Sequence, residues 1–395
     1  MKRATGVAIV ALTLITGCGR GVLRADGGGG AGAIGVGGAG GTRPWVDQLS
    51  RSVDVLFMID NTAGRNVTAN LERNFPTFTT TLRNAPGGLP SLHLAVITSD
   101  MGAGDGSIAS CNATGGDGGR FQYTARGSCT ATNLQPGATF ISDINGVTNY
   151  TGNLEDVFTC IAVVGDQGCG FEQPLASVVR ALGADGRPAP AENQEFLRPD
   201  AFLLIVLLTN EDDCSVPAGS NLFDTISNTT LASPLGPVSN FRCNEFGHLC
   251  NGVKPPRRAP NGSTSDVVSL DGCVSAEGAG LLTPVATFVQ QLQALKPDPS
   301  MVLVAAIAGP AAPYTVRWTN PSTADPGGPW PRISPSCTAP DTSSADPAVR
   351  ITQWVNAFGT NGLALSVCSD NFAPALQRLA ELVNDRLPAP PPAQP

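Results

Sequence analysis

Five short apolar runs punctuate the chain, and each is rich in β-branched or large aliphatic residues: Val53–Ile59, Leu92–Thr98, Ala201–Leu208, Met301–Ile307 and Leu363–Val367. Runs that are apolar throughout, rather than alternating, fit strands covered on both faces of a parallel sheet. Between them the period changes. Over 66–84, Val67, Leu71, Phe75, Phe78 and Leu82 recur at helical spacing, and Pro76 predicts a kink or two pieces. Further helices are predicted over 172–183, closed by Gly183; over 283–296, with Thr283 as cap and Pro284 at the first position; over 346–358; and over Asn371–Val383. Strands alternating with helices of this length indicate βαβ units, so the predicted fold is α/β, a doubly wound, mostly parallel sheet over residues 51–386. Two long stretches, about 101–160 and 211–280, read as loop insertions.

The flanks lack this pattern. Residues 19–50 begin as a glycine-rich stretch (GGGGAGAIGVGGAGG) that cannot bury a core and reads as a flexible tether. Residues 387–395 are proline-rich and read as a disordered tail. Ahead of the tether, Lys2 and Arg3 precede the apolar Val7–Ile15, which is too short to span a bilayer and has the layout of an export signal. The following Ile15-Thr16-Gly17-Cys18 resembles a lipobox, so residues 1–18 are expected to be a lipoprotein signal with Cys18 lipidated. Gly19, rather than aspartate, after the cysteine favours the outer membrane.

Composition changes the picture in two ways. Charged residues are 14% of the chain and the net charge is -8, with two histidines, which argues against nucleic acid as a partner. Of eleven cysteines, the ten beyond Cys18 form an even set: Cys111, Cys129, Cys160, Cys169, Cys214, Cys243, Cys250, Cys273, Cys337 and Cys368. In an exported chain such a set reads as disulfides, with Cys160–Cys169 and Cys111–Cys129 as plausible local bridges. The rival is zinc at Cys243, His248 and Cys250, whose spacing matches no familiar site.

Three of the predicted strands end in acids: Asp60, Asp100, and Glu211-Asp212-Asp213. In parallel strands these share one edge, where open α/β sheets bind ligands. The segment VDVLFMIDNTAG (53–64) resembles the first strand and metal motif, D-x-S-x-S, of a von Willebrand factor A domain. With LHLAVITSDMGAG, GCGFEQPL, LLIVLLTNEDDCS and LVAAIAGP, the chain is similar to secreted A-domain-like lipoproteins of the myxobacterial type. That resemblance implies a hard divalent cation, Mg²⁺ or else Ca²⁺ or Mn²⁺, held by oxygens. Asp60 matches the first acid and Thr62 the first hydroxyl. Gly64 replaces the second serine, Asn210 falls where an aspartate belongs, and the loop Gly168–Glu172 offers no hydroxyl. The metal motif is therefore degenerate, and Asp212, Asp213 or Asp100 would have to complete it. The alternative for the acidic run is a solvated strand end, with Asp212 or Asp213 capping a turn.

Catalytic motifs are not evident: neither G-x-S-x-G nor H-E-x-x-H occurs, His93 sits within an apolar strand as a core or interface residue, and His248 lies in a cysteine-rich loop. The expected function is a non-enzymatic adhesion or binding module on a lipid anchor, engaging a protein or extracellular-matrix ligand. The alternatives are an extracellular hydrolase using strand-end carboxylates and a structural envelope protein.

Overall fold

The computed structural model describes residues 50–104, 108, 111 and 115–390. Cys18, nearly all of the tether and residues 391–395 lie outside the described residues. The main strands are β1 (Ser52–Ile59), β2 (Ser91–Thr98), β3 (Ile141–Ile144), β4 (Val147–Thr148) and β5 (Phe202–Leu208). After β5 come three short strands, β6 (His248–Cys250), β7 (Val267–Leu270) and β8 (Cys273–Ser275). The last six are β9 (Val302–Ala308), β10 (Tyr314–Thr319), β11 (Trp330–Ser334), β12 (Cys337–Thr338), β13 (Ser344–Ala345) and β14 (Gly362–Ser366). The helices are α1 (Arg65–Asn84), α2 (Leu154–Ala162), α3 (Pro174–Ala181), α4 (Phe241–Gly247), α5 (Val285–Gln293), α6 (Val349–Asn356) and α7 (Ala373–Asn384).

The protein is α/β with a seven-stranded central sheet ordered β14-β9-β5-β1-β2-β3-β4. The five long-range neighbours β14, β9, β5, β1 and β2 run parallel, and β3 and β4 add an antiparallel edge. The five apolar runs are the five parallel strands. They are apolar throughout because both faces are covered. Val53, Val55, Phe57 and Ile59 of β1 join a core with Phe75 and Phe78 of α1, Phe158 of α2 and Leu379 of α7. Leu56 and Met58 point the other way, into a core with Val178 of α3, Phe288 of α5 and Trp354 of α6. This is the period-two alternation of a strand serving two layers.

Several expectations change. Helix α1 runs as one element through Pro76. Helix α5 starts at Val285, after Pro284, and Thr283 does not cap it. The carboxylate of Glu277 instead accepts from the N–H groups of Val285 (2.9 Å) and Ala286 (3.1 Å). Part of the 101–160 stretch is not loop: it supplies β3, β4 and α2. At the tether's end, Ser50 already donates to Asp200 (2.9 Å). The proline-rich tail also starts later than expected, since Leu387 packs into the core and the Pro388 carbonyl accepts from Arg51 (3.1 Å).

All ten described cysteines are paired: 111–169, 129–160, 214–243, 250–273 and 337–368. This corrects the two local pairings, because the same four cysteines cross-connect. Cys129 reaches forward to Cys160 in the last turn of α2, and Cys111 staples the first insertion to the loop before α3. It also removes the zinc alternative, because Cys243 and Cys250 are bonded elsewhere. The second insertion is further organised by Arg242. Its buried guanidinium donates to the carbonyls of Pro237, Leu222, Asp224, Asn228 and Gly236, so one side chain replaces the backbone partners that an irregular loop lacks.

Candidate functional site

Parallel register sets what meets at the carboxyl edge. Ile59 of β1 is level with Thr98 of β2 and with Leu208 of β5, so the next residues, Asp60, Ser99 and Thr209, lie side by side. The chain steps from β1 outward to β2, then crosses back to β5, β9 and β14. The order therefore reverses between β1 and β5, where such sheets leave a crevice.

Asp60 is buried at that point. Its Oδ1 accepts from the Thr62 amide (2.7 Å) and the Thr62 hydroxyl (2.9 Å), and its Oδ2 from the Thr209 hydroxyl (2.7 Å). The loop 168–172 delivers Glu172, whose Oε1 also meets the Thr62 hydroxyl. Gly168 permits this approach, because a Cβ there would lie 2.1 Å from the Asn61 side-chain oxygen. Thr62 has one hydroxyl proton and two carboxyl oxygens beside it, so a proton on one of the acids, or a cation between them, must complete the set. Glu172 Oε2, the Asn61 side-chain oxygen and the Ser99 hydroxyl are buried without a hydrogen-bond partner among the described residues.

Burial and mutual repulsion push these acids toward the neutral form. Burial raises Asp60, against the opposing hydrogen bonds from Thr209 and Thr62. Glu172 is raised well above the usual range by burial and then by Asp60 and Glu211. Glu211 is pushed up to about 8, first by burial, then by Asp60 and Asp346, and Asp346 rises to about 6, mainly by burial. Of the central pair, Glu172 is pushed further toward the neutral form, by burial and by Asp60 and Glu211, while Asp60 accepts three hydrogen bonds that favour its anion. A cavity of about 20 Å³ adjoins, lined by Glu172, Glu211, Asp212, Asp213, Asn240, His248 and Asp346 among others. It holds about one water or ion.

Of the four expected metal ligands, the structure joins Asp60 with Thr62 but engages Asp212 and Asp213 elsewhere. Asp212 accepts from the Arg350 (2.8 Å) and Ile351 (3.0 Å) amides at the start of α6 and lies 2.8 Å from His248 Nε2. His248 Nδ1 is in turn 2.9 Å from the Tyr314 hydroxyl. These bonds hold the Asp212 carboxyl below its usual range despite burial. Asp213 caps α3 by accepting from the Leu175 amide (3.1 Å) and pairs with buried Arg350 (2.9 Å). Both acids therefore cap helices distant in sequence, and Asp213 also closes the turn that follows it, as the alternative expected, by accepting from the Ser215 amide (3.2 Å). Asp100 closes its own loop by accepting from the Gly102 amide (2.7 Å). Asn210 directs its amide to the Ser344 carbonyl (3.4 Å), and Gly64 caps α1 with positive φ and no side chain. His93 is a core residue, 2.8 Å from the Phe196 carbonyl.

Glu172 and Thr209 are the members that sequence reasoning missed. The signal was available for Glu172, a lone acid between Phe171 and Pro174 in an otherwise apolar loop and helix start. Among the described residues, no group of three or more His, Cys, Asp or Glu side chains is arranged to hold a metal ion. A cation here would rest on hydroxyl as well as carboxyl oxygens. No family model matches the chain, and no curated protein matches it.

Proposed function

We propose that this chain is a cell-envelope lipoprotein whose folded part is a doubly wound, von Willebrand factor A-like binding module, and that it engages a protein or matrix ligand through the carboxyl edge of its sheet. The observation that carries this reading is the Asp60–Thr62–Glu172 cluster at the reversal of strand order, with one hydroxyl shared by two acids and a buried oxygen left over. The donor set is all oxygen, which suits Mg²⁺ or Mn²⁺. Asp60, Thr62 and Glu172 would hold the ion, which neutralises the acids and leaves a position for a carboxylate of the ligand. The residue substitutions at Gly64 and Asn210 are offset here by Glu172. The five disulfides support an exported chain.

Millimolar Mg²⁺ or Mn²⁺ is expected to raise the melting temperature, since a ligand at 100 times its Kd stabilises by about 2.7 kcal/mol. Asp60→Asn and Glu172→Gln should each reduce the shift. A wild-type protein indifferent to both ions, or variants that respond equally, would remove the cation from the reading. Palmitate labelling of cells should mark the wild-type protein but not Cys18→Ser; equal labelling would count against the anchor.

A further inference from the structure

A second site lies away from the acid cluster, where the loop 115–120, α3 and the turn 185–192 enclose a groove of about 480 Å³. Three guanidiniums, Arg120, Arg180 and Arg187, line it with Gly116, Gly118 and Glu192. In a chain of net charge -8, three arginines around one groove are a local concentration of guanidinium donors. Arg120 forms no ion pair among the described residues; its Nη1 reaches the Asp117 carbonyl (3.1 Å). Arg180 donates to the Pro188 carbonyl (2.8 Å), and Arg187 is aimed by Asp185 through its Nε (2.8 Å). Asp185 also lies 3.6 Å from Arg180, and Asp100, Asp117 and Glu192 belong to the same walls, so the groove carries both signs, and Arg120 is the guanidinium that no carboxylate pairs with among the described residues.

The walls are fixed before any ligand arrives. Asn193 donates to the carbonyls of Gly119 (2.8 Å) and Ala181 (2.9 Å) and accepts from the Phe121 amide (3.0 Å), tying the glycine loop to α3. Gly119 lies so close to α3 that a Cβ would be 2.8 Å from the Ser177 carbonyl. Gly116 has φ +50, and a Cβ there would be 2.1 Å from the Asp100 carboxylate. A second groove of about 570 Å³ shares Met101 and Arg187 with the first and is lined by Val179, Val216, Phe223 and Phe288. Guanidinium forks recognise carboxylate and phosphate oxygens, and a pre-set frame lowers the ordering cost of binding.

The geometry points to a binding site for a small ligand bearing two or more anionic oxygens, carboxylate or phosphate, with an apolar part reaching past Met101 into the second groove. Isothermal titration at constant ionic strength, with citrate, pyrophosphate and phenyl phosphate as probes, tests it. At least one of citrate and pyrophosphate should bind, and the tighter of the two assigns the acid group. Phenyl phosphate should bind more tightly than inorganic phosphate. Arg120→Gln and Arg187→Gln, both at exposed positions, should each weaken binding about tenfold, the loss of one charged hydrogen bond. Their melting temperatures without ligand should stay unchanged. Failure of all three probes to bind above chloride, or an unaffected double variant, would overturn the site.

Discussion

Asp54→Ala is expected to destabilise the protein by about 3–5 kcal/mol, the cost of stranding a buried partner charge. Asp54 is fully buried in β1, at the end of the sheet opposite the acid cluster. Its carboxylate accepts from the Arg198 amide (2.8 Å) and Arg198 Nε (2.7 Å), and lies 3.4 Å from Lys296 Nζ. The Lys296 amine is itself buried, and burial lowers its pKa against the pull of Asp54. Without Asp54, two cations remain next to an apolar sheet, held only by carbonyls. Arg198 reaches those of Val53 (2.9 Å) and Ser91 (3.1 Å), so the loss would also loosen the turn before β5 from β1 and β2. Urea denaturation measures the effect. Adding Lys296→Met to the alanine variant should recover part of the loss, because it removes one of the stranded charges. A cost below about 1 kcal/mol would place the cluster with exposed pairs, which contribute little.

Stability should fall as pH rises from about 5 to 8. Glu211 has an ordinary value of 4.5 in an unfolded chain and is pushed up to about 8 in the fold. Between those values the folded protein keeps a proton that the unfolded chain has released. The stability it contributes is complete below the unfolded value and gone once pH passes the folded one. At about 1.4 kcal/mol per pH unit, and with solvent reaching the partly buried side chain, Glu211 alone accounts for on the order of 1–3 kcal/mol. Asp346, raised to about 6, and Glu172 act in the same direction. Asp212, held low by His248 and the α6 amides, acts oppositely, and its contribution is lost as pH falls through its depressed value. Denaturant midpoints measured across this range should decline, and Glu211→Gln should flatten the decline. A wild-type curve that is level or rising from pH 5 to 8 would contradict the burial assigned to these acids. Mg²⁺ should flatten it too if the proposed cation is right, because the ion replaces the protons.

The two expectations draw on opposite ends of one sheet, and they differ in how far the sequence reveals them. Asp60 and Thr62 are visible as the end of an apolar run followed by oxygen-bearing residues. Asp54 is not, because one acid inside an apolar strand reads as an exception until Arg198, 144 residues away, and Lys296, 242 away, are brought to it. Asp212 and Asp213 show the reverse case. Adjacent acids after a strand resemble ligands, yet each meets the free amides of a helix that reaches it only in the folded protein. Cysteine parity likewise indicated bridging, while the partners depended on where α2 and the loop before α3 come to rest.

The sequence by itself determined the five parallel strands, most of the helices between them and the presence of disulfides, because apolar periodicity and cysteine parity are local or compositional properties that burial on two faces imposes directly. Only the tertiary structure decided the contents of each site. Strand register made Asp60, Ser99 and Thr209 neighbours, the loop before α3 brought in Glu172, and the loop 115–120 folding onto α3 gathered three arginines. Those encounters depend on which elements lie side by side, and side-chain chemistry alone does not encode that placement.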